Sequence, residues 1–257
     1  MLDYASFPDQ RQTLIKTRLL QDGRVVCAQL AAELGVSEHT IRRDLQELAS
    51  QGVCKKVYGG AVNVVADPPG LAERIHLTGE EKQKLGRASA QLLRAGDCVF
   101  VDSGSTNMAI AKAISQQQAI TFVTHVPEIA VELLKLAHCE VILLGGKLNR
   151  KIGASVGPAT IRQLETMYFD QCLLGACALD PEEGVTVFDF DDAEFKRTIV
   201  KQSSEVIVAL TQDKLGTVAK HRVMQVSEIS TLVLAGASVP GVLAKLAQSN
   251  VNIVQAD

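Results

Sequence analysis

Apolar positions in the first quarter of the chain recur at helical spacing in three successive blocks and then change to a strand-like pattern. Arg11, Leu14, Ile15 and Leu19 predict a leading helix, and Gly23 to Val26 a short strand after it. Leu30, Ala31 and Leu34 share one face of a second helix that stops at Gly35, a residue suited to a helix C-cap. Val36 packs inward, and Ser37 stands where an N-cap belongs, its hydroxyl placed to accept from a first-turn backbone N–H. In the third helix, a rotation of about 100° per residue puts Ile41, Leu45 and Leu48 on one stripe that faces the core. His39, Arg43 and Gln46 then point the opposite way, flanked by Thr40, Arg42 and Glu47. Gly52 ends this run, and Val53 to Tyr58 predict a strand that turns at Gly59-Gly60 into Ala61 to Val64.

Beyond a breaker stretch at Val65-Ala66-Asp67-Pro68-Pro69-Gly70, the pattern becomes regular alternation of helix and strand. A charged helix is expected from about Gly79 through Leu93. Strands are expected at Val99–Val101, Ile120–Thr124, Val141–Leu144, Gln171–Leu174, Val206–Leu210, Thr231–Leu234 and Val251–Val254. Helices are expected at Met108–Ile114 and Pro127–Leu136. Strands apolar on both faces and separated by helices imply a largely parallel sheet covered on two sides. The expected fold class is therefore α/β, with a winged helix-turn-helix domain at 8–63, a linker at 64–78 and a larger α/β domain at 79–257. A length of 257 residues with 47% hydrophobic content suits one small and one larger core.

The outward face of the third helix carries side chains that pair with base edges and phosphates, and a helix fits the major groove. Ser37, His39, Thr40, Arg42, Arg43 and Gln46 are the candidate DNA-contacting residues of the helix. Lys55, Lys56, Tyr58 and Gly59 are those of the hairpin, where the lysines would lie beside the sugar-phosphate backbone. An isolated IRRDL segment is better explained by an ordinary solvated helix face. The order of helix, glycine turn, capped helix with a basic outer face and Gly-Gly hairpin is what favours duplex DNA as partner. Charge adds a constraint: the whole chain is at −3, and residues 1–63 carry eight Lys and Arg against seven Asp and Glu. No global positive field draws this protein onto nucleic acid, so binding rests on local placement of cations.

In parallel sheets ligands bind beyond the carboxyl ends of the strands. Asp102-Ser103-Gly104-Ser105-Thr106 leaves the first strand of the larger domain and enters a helix, offering glycine, hydroxyls and helix-start N–H groups to an anion. A strand-to-helix turn with a capping serine is the alternative. Neither G-x-G-x-x-G nor the Walker pattern is present here, and no cofactor is indicated.

These motifs resemble the bacterial DeoR-type transcriptional regulators, whose signature L-x-V-S-x-x-T-I-R-R-D-L is matched from Leu34 to Leu45 and completed by Gly52 and Gly59-Gly60-Ala61. The resemblance continues through D-x-G-[ST]-T at Asp102, Gly104, Ser105 and Thr106, L-x-G-G at Leu143 to Gly146, Gly157, Phe169-Asp170 and the run Asp192 to Arg197. It implies a C-terminal domain of the ribose-5-phosphate isomerase fold that cradles a phosphorylated sugar or related metabolite. On that basis Asp102, Gly104, Ser105, Thr106 and Gly146 are candidate effector-binding residues. Glu194 and Lys196 would hold sugar hydroxyls and charge, the alternative being a solvated helix face, and Lys214 would meet the phosphate as a point charge. The chain departs from the family where V-T-N becomes Val123-Thr124-His125, and where D-x-S-K-[FY]-G becomes Thr211-Gln212-Asp213-Lys214-Leu215-Gly216. His125, at a strand end with no Cys or second His at ligand spacing, is expected to be structural.

The resemblance implies a repressor of a carbohydrate-utilisation operon, acting as a homodimer or homotetramer on a double-stranded operator. Two alternatives remain at this point. One is a sugar-phosphate isomerase with an appended DNA-binding domain, drawing on Asp102, Asp192 and Glu194 as acids; the other is an architectural DNA-binding protein without a ligand. Cysteines 27, 54, 98, 139, 172 and 177 form no C-x-x-C pair and are expected as buried thiols in a reducing cytosol. Neither a membrane-spanning run nor a signal peptide is evident, so a cytoplasmic location and no metal site are expected.

Overall fold

The computed structural model describes residues 7–65, 67–76, 79–115, 118–236 and 240–257. Its first part is a winged helix: α1 (Pro8–Asp22), β1 (Arg24–Val26), α2 (Cys27–Leu34), α3 (Glu38–Ser50), β2 (Cys54–Val57) and β3 (Gly60–Val64). Ile15, Leu19, Leu30, Ile41, Leu45 and Leu48 form its core, as their spacing requires. One feature of that core is charged. Arg11 and Asp44, 1% and 2% exposed, pair across α1 and α3 through Nε and through an Nη2–Oδ1 bond of 3.0 Å.

Within the proline-rich stretch, Ala66, Leu77 and Thr78 lie outside the described residues, but a helical turn and a half, α4 (Leu71–His76), occupies what the composition predicts as linker. Leu71 is buried and Ile75 packs against the same core, the i,i+4 pair expected of a short amphipathic helix.

The larger domain follows with α5 (Glu80–Ala90), β4 (Cys98–Val101), α6 (Ser105–Ala113), β5 (Thr121–Thr124), α7 (Pro127–Leu133) and β6 (Glu140–Leu143). Then come β7 (Lys147–Asn149), β8 (Ala154–Val156), α8 (Pro158–Leu164), β9 (Phe169–Leu174), β10 (Ala178–Asp180), β11 (Gly184–Val187) and α9 (Phe190–Lys201). The chain ends with β12 (Ser203–Thr211), β13 (Thr217–Val218), β14 (His221–Met224), β15 (Thr231–Ala235), α10 (Pro240–Ala247) and β16 (Asn252–Ala256). Seven strands form one sheet in the order β16-β15-β12-β9-β4-β5-β6, every neighbouring pair parallel. Val99 and Val101 of β4 enter one apolar cluster and Phe100 the other, so the sheet is covered on both faces. The protein is thus an α/β chain with an N-terminal winged helix-turn-helix.

Each strand expected of the main sheet is present, with no end shifted by more than three residues. The small antiparallel pieces, β7–β8 and β10–β11–β14, were not foreseen, because three or four residues are too few to display a period.

The two parts are joined by more than the linker. Along one edge β3 carries β2; along the other it carries β1 over Gly60–Val62 and then β13 in parallel, Thr217 and Val218 opposite Asn63 and Val64. Gly23 makes this junction possible: it caps α1 at φ 73°, and a Cβ there would stand 2.6 Å from the Gly216 carbonyl oxygen. Beside the junction, the β10–β11 turn presents Glu182 to Arg24 and Lys245, and Glu183 to Lys55 and Arg222. Hydrogen bonding from Arg24, against the opposing effect of partial burial, holds the Glu182 carboxyl down at about 2.

Candidate functional site

Helix α3 begins at Ser37, whose hydroxyl accepts from the Thr40 amide at 3.1 Å and meets the Thr40 hydroxyl at 2.9 Å. Ile41, Leu45 and Leu48 are fully buried, and this fixes the rotation of the helix so that His39, Arg43 and Gln46 are exposed. Thr40 is half-buried beside them. Arg42 is exposed but bonded to Glu38 at 2.7 Å along the same helix. At the wing, Tyr58 is fully exposed and sits with Gly59 in the turn between β2 and β3.

The two wing lysines do not share a face. Successive side chains of a strand alternate, so Lys56 reaches Gln46 of α3 at 2.7 Å while Lys55 reaches Glu183 of the larger domain at 3.3 Å. Lys55, expected beside a DNA backbone, is therefore placed against the domain junction. Asp44 is the residue of this helix that periodicity assigned no role; its signal was an acid lying on the apolar stripe, which requires a buried cation partner.

At the head of α6 the chain forms an open cavity of about 120 Å³, room for a small polar molecule. Ser103, Gly104, Ser105, Thr106, Lys196 and Lys214 line it, and so do Arg74, Lys151, Asn107, Cys177 and Asp192. First-turn N–H groups of a helix have no intrahelical acceptor, and here the first-turn residues Ser105 to Asn107 line the cavity. The Thr106 Oγ1 is buried with no hydrogen-bond partner among the described residues.

Asp102 does not reach this lining. It is fully buried beneath it, accepting from the Ser103 and Gly175 amides at 2.7 Å each, from Lys196 Nζ, and lying 3.1 Å from His125 Nε2. Gly175 must be glycine, since a Cβ would sit 2.0 Å from the Ser103 carbonyl oxygen. Burial alone would push the Asp102 carboxyl up, but Lys196 and His125 overcome it and hold the group at about 2. Burial likewise works against the Lys196 ammonium, yet Asp102 and Asp192, the latter 3.4 Å away, raise it above its ordinary range. His125 is fully buried, stacked on Phe195 at 4.3 Å and bonded to the Ser155 carbonyl at 2.8 Å.

Two expected effector residues stand elsewhere. Glu194 lies on the outer face of α9, paired with Arg197, because the helix turns Ala193, Phe195 and Lys196 inward and leaves it in solvent. Gly146 lies between β6 and β7, where the Thr160 hydroxyl crosses too close for any Cβ, and does not line the cavity. Arg74 and Lys151 were not foreseen as lining residues; the linker composition and a surface turn gave them no pattern. Among the described residues no group of His, Cys, Asp and Glu is arranged to hold a metal, and no helix is long and apolar enough to cross a membrane. The cysteines are unpaired, but only Cys27, Cys54 and Cys172 are buried; Cys98, Cys139 and Cys177 are half-buried, which corrects the expectation of six buried thiols.

Comparison with known proteins covers both domains. Residues 11–65 match the DeoR-like helix-turn-helix domain, and residues 78–235 match the DeoR C terminal sensor domain. The HTH-type transcriptional regulator GlpR of Haloferax volcanii is 33% identical over 232 residues, 89% of each chain. The glycerol-3-phosphate regulon repressor of Escherichia coli is 29% identical, over 87% of this chain and 89% of its own. Among solved structures, ribose 5 phosphate isomerase A from Neisseria gonorrhoeae aligns with 52% of each chain at a TM-score of 0.39 and 11% identity. With both domains matched and a relative of that similarity spanning nearly the whole chain, the protein belongs to the DeoR family of DNA-binding transcriptional regulators.

Proposed function

We propose that this regulator represses a carbohydrate-utilisation operon, with α3 in the major groove and a phosphorylated sugar or related metabolite in the cavity at the head of α6. The observation that carries the reading is the outward row of His39, Arg43 and Gln46, held in solvent by the burial of Ile41, Leu45 and Leu48 on the opposite side. A homodimer or homotetramer in the cytoplasm would present such rows to inverted half-sites, one helical turn or a multiple apart. The metabolite then changes operator affinity by its differential affinity for the two arrangements. An unpartnered hydroxyl at Thr106, helix-start amides and lining cations supply what a phosphate accepts and attracts.

Replacing Arg43 with Ala should cost about 1 to 3 kcal/mol of operator binding and relax base preference at one position. An unaltered footprint for that variant would remove α3 from the groove. Thr106→Ala should keep operator affinity and lose the response to the metabolite found by screening phosphorylated sugars in thermal shift.

A further inference from the structure

The cavity is walled partly by segments that also hold the winged helix onto the larger domain. One is the linker, which contributes Asp67, Pro68, Pro69 and Arg74. The other is the turn after β12, which contributes Lys214 and, three residues later, becomes the strand paired with Asn63 and Val64 of the wing sheet.

The cations on these segments differ from the others around the cavity. Lys151 is paired with Asp67, and Lys196 with Asp102 and Asp192. Arg74 and Lys214 make no ion pair among the described residues: Arg74 donates Nε to the Pro69 carbonyl at 3.0 Å, and Lys214 donates Nζ to the Ala176 carbonyl at 3.2 Å. Both are half-buried, and Asp213 beside Lys214 is exposed to solvent. Burial lowers the Lys214 pKa, and the neighbouring Arg74 adds to this against the opposing influence of Cys177 and Asp213. Like charges held close in a partly desolvated site are costly unless an anion joins them. A phosphate monoester suits the gap: its oxygens accept from the α6 amides and Thr106 on one side, leaving others for a guanidinium fork and an ammonium point charge.

We propose that Arg74 and Lys214 close on the phosphate of the bound effector, which thereby bridges the linker and the β12–β13 turn and couples the cavity to the wing sheet. This rests on the reading of the cavity given under the proposed function. It adds Arg74 as a ligand and makes the phosphate, rather than the sugar, the part of the effector that transmits.

The test uses the full chain with inorganic phosphate as probe, titrated by phosphorus NMR, and hydrogen exchange followed at residues 63–65 and 217–218. Phosphate should slow exchange in both segments of the wild type. Arg74→Ala and Lys214→Ala should each weaken phosphate binding at least about tenfold and abolish the slowing, with Arg74→Lys recovering part of the affinity. Operator affinity without phosphate should stay within about twofold for all three, which excludes simple misfolding. Undiminished binding to Arg74→Ala, with binding lost in Thr106→Ala, would overturn the clamp and leave the cavity intact. No phosphate binding to the wild type would overturn the cavity and the clamp together. Binding through Arg74 and Lys214 with unchanged exchange at 63–65 and 217–218 would overturn the bridge.

Discussion

Helix α3 draws its outward row from residues 39 to 46 of a single element, whereas the cavity at the head of α6 is assembled from the linker, the α6 turn, the β7–β8 hairpin, α9 and the β12–β13 turn. A site on one helix is set by that helix's rotation, and three buried side chains determine it. A site between elements depends on tertiary contacts, and here the contact at its base is the buried network of Asp102, Lys196 and His125. The first kind tolerates change in the rest of the molecule; the second is sensitive to it.

The difference can be tested most severely where the helix is itself tied down over a distance. Asp44→Ala removes the carboxylate that pairs with the buried Arg11 guanidinium, and the winged helix should lose about 3–5 kcal/mol in chemical denaturation. A loss under about 1 kcal/mol would mean that the apolar stripe alone fixes α3, and the contrast with the cavity would sharpen.

A smaller effect is expected from acid at the base of the cavity. The Asp102 carboxyl is held at about 2 in the folded chain, below its ordinary 3.8. A depressed acid contributes stability in full above its unfolded pKa and loses it as pH falls through the folded one, so the loss falls between about pH 4 and pH 2. It should be on the order of 2 kcal/mol, read from denaturation midpoints across that range. Lys196→Met should flatten the dependence, because the ammonium that depresses the carboxyl is gone. An unchanged profile in that variant would detach Lys196 from the network.

The smallest effect separates the wing lysines. Lys56→Ala should reduce the slope of log affinity against log salt by about 0.9, the contribution of one phosphate contact. Lys55→Ala should leave the slope nearly unchanged, since Glu183 already holds that ammonium. Equal slopes for the two variants would place both lysines on DNA and break the alternation argument.

How much could be read before the structure follows the same division. Periodicity located α3, its buried stripe and its outward row, because each depends on neighbours within one helical turn or two. Apolar runs located the strands of the parallel sheet, and family motifs led to Gly104, Ser105 and Thr106. Arg74 escaped because a six-residue helix in a proline-rich stretch has too few turns to show a period. Glu194 reads as an effector contact from the motif because a motif gives spacing but not which side of α9 faces the sheet. The Arg11–Asp44 pair, 33 residues apart, left only an acid in an apolar stripe as its trace.

The short strand β13 has a practical consequence. A fragment cut after the last wing residue would keep every side chain of α3, yet the outer end of β3 would lose its neighbour along one edge and expose the backbone that pairs with Thr217 and Val218. Such a fragment invites association through that edge. Grafting these N-terminal residues onto a foreign sensor would therefore demand a host that offers a replacement stave at the same place, so the DNA reader is not a freely exchangeable cassette.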